Sequence, residues 1–248
     1  MSLELMEGRV VHFPQRRSVF AFDEEVSRIF PDMAMRSIPM YEEAHRLHVS
    51  MFAARIGAAA ETVFYDIGAS CGHFFKAICN RFHIDPTVGD SRFSCTAVDN
   101  SFPMLSQLHK EMPWVRIIEA DAAFLPDFSE PADFISMFYL LQFLQTDEQK
   151  MSALQWAYRN LKKGGVLFLG QKSLTTETHT TLFTEEYYRF RMDNGYTMAE
   201  IQAKTEALKG SMWPSNPSWL EDLCLGAGFI DYVETTRWLM FSTSMCTK

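Results

Sequence analysis

Long apolar runs are missing. No stretch approaches the roughly 20 residues that a membrane-spanning helix needs, and Met1 to Pro14 has neither the cationic start nor the apolar centre of a signal peptide. A cytoplasmic chain without a membrane partner is expected. Cysteine is sparse: Cys71, Cys79, Cys95, Cys224 and Cys246 are scattered without CxxC spacing, which argues against a disulfide framework or a zinc site and leaves free thiols. His45 and His48 lie three apart but have no Glu or Cys at ligand spacing, so no metal is expected. Positive charge is short as well. The 23 Lys and Arg against 31 Asp and Glu leave 23 − 31 = −8, a surface that repels phosphates and is ill-suited to a nucleic-acid scaffold. With 12 Gly and 10 Pro and no internal repeat, the chain is neither fibrous nor of low complexity.

What is present is a 248-residue chain, 47% hydrophobic and 22% charged, long enough to bury a full core as one domain over 1–248. The start, through Pro14-Gln15-Arg16-Arg17, lacks periodicity and is expected on the surface. Helices are expected over 20–58. One runs from Phe22 to Phe30 and stops before Pro31; the second, Met40 to Ile56, carries the stripe Tyr41, Ala44, Leu47, Met51 and Phe52. Strand-like runs then alternate with helix-like ones: Thr62 to Tyr65, a helix at Phe74 to Ile78, Phe93 to Val98, a helix at Pro103 to Lys110, Val115 to Ile118, Phe134 to Tyr139, a helix at Gln149 to Leu161, and Val166 to Leu169. Such alternation predicts a doubly wound α/β fold with a mostly parallel, seven-stranded sheet. Residues of about 178–212 interrupt it with helix-prone sequence, read as a helical lid insertion. A helix from Trp219 then stops at Gly226 as its C-cap, and Phe229 to Val233 with Trp238 to Thr243 complete the sheet.

The sharpest local feature is Asp66-Ile67-Gly68-Ala69-Ser70-Cys71-Gly72, between a strand and a helix. At the carboxyl edge of such a sheet, glycines let the backbone approach a ligand closely. Taken alone the loop is also an ordinary strand–helix connection, and Ser70 replaces the central glycine of GxGxxG, which weakens a dinucleotide reading. Asp99 ends the next strand, where a carboxylate can accept from both ribose hydroxyls, and Asp121 follows the third, where it can accept from an adenine amine. Three acidic strand tips in succession point to an adenosyl ligand, and their charge suits a ligand carrying a sulfonium and an ammonium.

On these residues the chain resembles a class I S-adenosylmethionine-dependent methyltransferase, with its Rossmann-like fold. More narrowly it is similar to carboxy-S-adenosylmethionine synthases, which act in tRNA wobble-uridine modification. The matching stretches are Phe22-Asp23-Glu24, Phe30-Pro31-Asp32-Met33, Arg36 to Tyr41, Tyr65 to Gly68, Val98 to Ser101, Leu141-Gln142-Phe143-Leu144, Gly164-Gly165 and Asn194-Gly195-Tyr196. The resemblance implies S-adenosylmethionine as cofactor, with Tyr41 on the donor. Gly68, Ala69 and Ser70 would lie along its amino-acid moiety, Asp99 and Asn100 at ribose and adenine, and Asp121 with Ala122 at adenine; Asp66 and Gly72 belong to the same cradle. It also implies a homodimer whose helical insertion reaches the partner's site. Two positions depart from the family. Thr205 stands where an arginine grips the added carboxylate, so that charge is absent unless Arg189 or Arg191 substitutes. Phe138 replaces an asparagine at the fourth strand tip.

Aromatic residues fill the gap. Phe138 and Tyr139, with Tyr187 and Tyr188 in the lid, are candidates to face the sulfonium, and Tyr139, Tyr187 and Tyr188 are the candidate catalytic residues; Phe138 is equally at home in the core. His73, just after the loop, is a candidate general base. The expected activity is methyl transfer to a small molecule. Alternatives are cyclisation of the donor to azetidine-2-carboxylate with release of methylthioadenosine, carboxy-donor synthesis, and an inactive adenosyl-binding subunit. Displacement at a sulfonium mainly needs alignment and exclusion of water, so few acid–base residues are required.

Overall fold

The computed structural model of the chain describes residues 22–56 and 61–248. The expected surface run at 14–17, and positions 20, 21, 57 and 58 of the N-terminal helical segment, lie outside the described residues. Seven strands form one sheet: β1 (Thr62–Ile67), β2 (Phe93–Asp99), β3 (Arg116–Glu119), β4 (Ala132–Phe138), β5 (Leu161–Lys172), β6 (Val233–Trp238) and β7 (Phe241–Thr247). Their order is β3-β2-β1-β4-β5-β7-β6. The first five pair in parallel and β7 runs antiparallel to both β5 and β6. The order reverses between β1 and β4, the switch point outside whose carboxyl ends such sheets bind ligands.

The helices are α1 (Glu24–Ser37), α2 (Tyr41–Ala53), α3 (His73–Phe82), α4 (Phe102–Glu111), α5 (Asp147–Asn160), α6 (Glu177–Asp193), α7 (Met198–Ala207) and α8 (Pro217–Ala227). Alternating strand residues feed two cores. Phe64, Phe134 and Phe168 pack under α2, α3 and α4, whereas Val63, Tyr65, Ile135 and Leu167 pack under α5 and α8. A strand buried on both faces is what a sheet covered by helices requires, and all six residues of β1 are buried. α6 and α7 lie between β5 and α8, over the residues expected to form a helical insertion; α7 starts with a capping box between Thr197 and Glu200.

Three sequence expectations are corrected. α1 does not stop before Pro31 but carries that proline inside it to Ser37; a proline removes one ladder hydrogen bond, and burial of Ala34 and Ser37 together with the Arg36 guanidinium bonded to the Asn194 carbonyl (2.7 Å) holds the last turns in place. The C-cap of α8 is Gly228, at φ 116°, and not Gly226, which lies within the helix. The final hairpin sits later than expected: Phe229 to Tyr232 lead into β6, and Trp238 pairs with Phe241 across Leu239, at φ 49°. A leucine in the left-handed region leaves no glycine or asparagine to mark that turn.

The two glycines give a paired prediction. A Cβ on Gly228 would meet the Tyr158 ring at 3.0 Å, whereas one on Gly226 has only Met151 Cε at 3.5 Å. Gly228→Ala is expected to lower unfolding stability by more than about 1 kcal/mol, and Gly226→Ala to raise it by about 0.5–1 kcal/mol. Denaturant titration of both variants checks the assignment of the cap.

Candidate functional site

The loop after β1 is held in an unusual conformation by its neighbours. Gly68, Ser70 and Gly72 all take left-handed φ, at 75°, 51° and 77°. The Gly68 and Ala69 amides donate to the Val98 carbonyl at 2.7 and 3.0 Å, which fastens the loop to β2. A Cβ on Gly72 would meet Leu108 and Met112 at 2.8 Å, so glycine is required there for space as well as conformation. The Asp99 carboxylate then accepts from the Ser70 amide through Oδ2 and from the Ser101 amide through Oδ1, each at 2.9 Å. Each oxygen keeps acceptor capacity for a ligand hydroxyl. Burial pushes this carboxyl up to about 6 against the pull of those amides.

Asp66 is the penultimate residue of β1 and is buried behind the loop, where it accepts from the Ser136 hydroxyl. Burial, reinforced by the charge of Asp99, pushes it up to about 7. Asn100 is exposed beside Asp99. Asp121 lies two residues past the end of β3 and caps a short 3₁₀ turn, its Oδ1 accepting from the Ala123 amide at 2.9 Å; Ala122 is buried in that turn. Because β3, β2 and β1 are neighbours, the three aspartates stand along one edge of the sheet.

Opposite the loop lies a wall of rings. Tyr41 opens α2 after Met40, at φ 57°, and its ring meets His45, His73 and Tyr139 at centroid separations of 4.5, 5.1 and 6.0 Å. Tyr139 follows β4 at φ 55°, with its amide bonded to the Gly170 carbonyl at 2.6 Å. Burial raises the hydroxyls of both tyrosines, so they stay protonated. Burial also holds His73 neutral by lowering it to about 4, and its Nδ1 has no hydrogen-bond partner among the described residues. The His45 Nδ1 donates to the Tyr41 carbonyl at 2.7 Å.

Phe138 is buried behind this wall, its ring packed on His45, His48, Phe74 and Tyr139. Tyr187 does reach the site from α6: its hydroxyl donates to the Ser37 carbonyl at 2.9 Å and its ring lies 5.0 Å from that of Phe241, which in turn lies 6.3 Å from Tyr139. Tyr188 does not. It is rotated about 100° round the helix, and no hydrogen bond or ring contact among the described residues joins it to Tyr41, Tyr139 or Asp99. Thr205, on α7, is exposed and spends its hydroxyl on the Ile201 carbonyl at 2.7 Å.

Sequence reading missed a group of cations beyond Tyr187. Arg191 is 3% exposed, and its Nε and Nη2 have no partner among the described residues. Its guanidinium lies 5.6 Å from the Tyr187 ring and 4.8 Å from that of Tyr196. Lys172, at the end of β5, has its Nζ 5.1 Å from the Tyr187 ring, and Lys204 on α7 donates to the Ser37 hydroxyl at 2.9 Å. Burial first, then Arg191, lowers Lys172; burial and the charges of Arg191, Lys172 and Arg36 lower Lys204 to about 7. Each ring attracts a cation by about 0.5–2 kcal/mol, against several kcal/mol for leaving a buried charge unpaired. The only advance signal was Arg191 as one of two candidate substitutes; Arg189, the other, is paired with Glu186 at the surface.

Among the described residues no helix is long and apolar enough to cross a membrane, and no three His, Cys, Asp or Glu gather as a metal site. All five cysteines are free and buried. A family model described as a methyltransferase domain matches residues 64–165. Carboxy-S-adenosyl-L-methionine synthase of Pseudomonas putida strain GB-1 is 31% identical over 235 residues, covering 90% of this chain and 91% of that protein. Its counterpart in Helicobacter pylori strain HPAG1 is 28% identical over 233 residues, covering 92% and 94%. The solved structure of an S-adenosylmethionine-dependent methyltransferase from Thermotoga maritima superposes with a TM-score of 0.57 at 17% identity, covering 93% of this chain and 99% of that one, a likeness of fold.

The raised carboxyl of Asp66 sets a pH dependence. Its folded-state value, about 7, lies above the ordinary 3.8, so the folded protein holds the proton more tightly than the unfolded chain does. That stabilisation is complete below the ordinary value and is lost as pH rises through about 7. Asp66→Asn keeps an acceptor for Ser136 and removes the titration. Denaturant midpoints at pH 5 and pH 8 are expected to fall more steeply in the parent than in the variant; equal slopes contradict the assignment.

Proposed function

The chain belongs to the carboxy-S-adenosyl-L-methionine synthase family of S-adenosylmethionine-dependent enzymes, and from that premise we propose that it transfers the donor's methyl group to a small molecule enclosed by the lid. The observation that carries this reading is one carboxyl edge of the sheet that bears the amide-locked Asp99 at the tip of β2 and, just past the tip of β4, the Tyr139 ring packed beside Tyr41. The cradle fits the cofactor. The left-handed backbone at Gly68, Ser70 and Gly72 sets the path of the loop beside Asp99, and Asp99 retains lone pairs for the two ribose hydroxyls. Asp121 and Ala122 bound the adenine end.

When bound, S-adenosylmethionine supplies an electrophilic carbon with its leaving group already installed. The residues of the chain then have three tasks. Tyr41, Tyr139 and Tyr187 attract the positive sulfur by their ring faces and exclude water from it. Asp99 and the loop fix the donor so that the acceptor approaches in line. His73, neutral and with Nδ1 unpartnered, takes a proton from an acceptor that must lose one.

The family's own reaction, synthesis of the carboxy donor, is the second reading. Buried Arg191 favours it, because it supplies a cation where Thr205 does not. Cyclisation of the donor uses no second substrate and leaves the cations beyond Tyr187 without a task.

Product analysis separates these outcomes. With the donor and a panel of small acceptors, S-adenosylhomocysteine is expected only when an acceptor is present. Methylthioadenosine formed from the donor alone overturns methyl transfer, and a donor heavier by a carboxyl group shows the second reaction. Asp99→Ala is expected to weaken donor binding by about 1.5–3 kcal/mol, the scale of hydrogen bonds to a charged group; calorimetry showing unchanged affinity removes Asp99 from the site.

A further inference from the structure

Resting on the donor-binding reading above, we propose that Arg191, Lys172 and Lys204 form an anion seat that holds a carboxylate group of the second substrate. Nε and Nη2 form one edge of the Arg191 guanidinium, and neither has a partner among the described residues while the residue is 3% exposed. Tyr187 and Tyr196 lie by the same guanidinium, and their attraction is smaller than the penalty of an unpaired buried charge. An opposite charge is therefore missing. The described residues do not supply it. Asp32 is bound to Arg36 at 3.0 Å, and Glu200 turns back on its own helix start, its Oε2 accepting from the Thr197 amide and hydroxyl at 2.7 and 2.8 Å. The charged groups shown to act with Arg191, Lys172 and Lys204, are both positive.

Two coplanar N–H donors on one edge match the two oxygens of a carboxylate. The seat is also placed for a reactant. Lys172 ends β5, two residues beyond Gly170, whose carbonyl holds the Tyr139 amide, and Tyr187 stands between the seat and the Tyr139–Tyr41 wall. It differs from the position expected for the family's carboxylate-gripping arginine, where exposed Thr205 stands.

The test uses the full chain with acetate, succinate and inorganic phosphate as probes, by thermal shift and calorimetry, with and without S-adenosylhomocysteine. The parent is expected to bind a carboxylate probe and be stabilised by it. Arg191→Met is expected to weaken that binding about thirtyfold or more, while its own melting temperature holds or rises because a buried unpaired charge is gone. Absence of a carboxylate response in the parent, an equal response in the variant, or tighter binding of phosphate than of either carboxylate overturns the seat. If Arg191→Met does not fold, Lys204→Gln decides: weaker carboxylate binding at unchanged melting temperature supports the seat, and unchanged binding refutes it. Calorimetry with S-adenosylmethionine on the parent is read separately, so loss of the donor reading and loss of the seat are distinguishable.

Discussion

The Asp99 carboxylate is the constraint on which the site depends. Its two oxygens accept from the Ser70 and Ser101 amides and so tie the loop after β1 to the tip of β2. Three left-handed residues, one of them a serine, are tolerated in that loop because these bonds and the Val98 carbonyl over-determine its path. The same carboxylate stands at the carboxyl edge of the sheet, where the proposed donor's ribose would lie. Burial raises the Asp99 carboxyl to about 6 in spite of the amides it accepts from.

Electrostatics divides the site. Acidic groups occupy the β1–β3 side, where Asp66 at about 7 is partly protonated at neutral pH and so eases repulsion with Asp99. Cations gather beyond Tyr187 on β5, α6 and α7. The tyrosine rings lie between, which suits a positively charged donor meeting a negatively charged partner across a surface that excludes water. A chain with net charge −8 thus keeps a local positive pocket that the overall composition conceals.

Local features were legible where one short segment carries the signal. The strand–glycine–helix loop, Asp99 at a strand tip, Tyr41 at the start of a periodic helix and the helical insertion all stand where periodicity and turn chemistry put them. Misreadings came where packing overrides local preference. Pro31 continues a helix anchored at Asn194, and Leu239 turns a hairpin without a turn residue. Tyr187 and Tyr188 were indistinguishable as a pair because only the docking of α6 decides which ring faces Ser37.

Alternation of strands and helices, acid at successive strand ends and glycine at the first turn are properties of neighbouring residues, and they were enough to establish the fold class and the kind of donor. The partnership of Lys172, Arg191 and Lys204 joins the end of a strand to two lid helices, with no spacing rule among them. Whether a buried charge has a counter-ion depends on every element packed around it, so only the folded chain reveals that this one has none among the described residues.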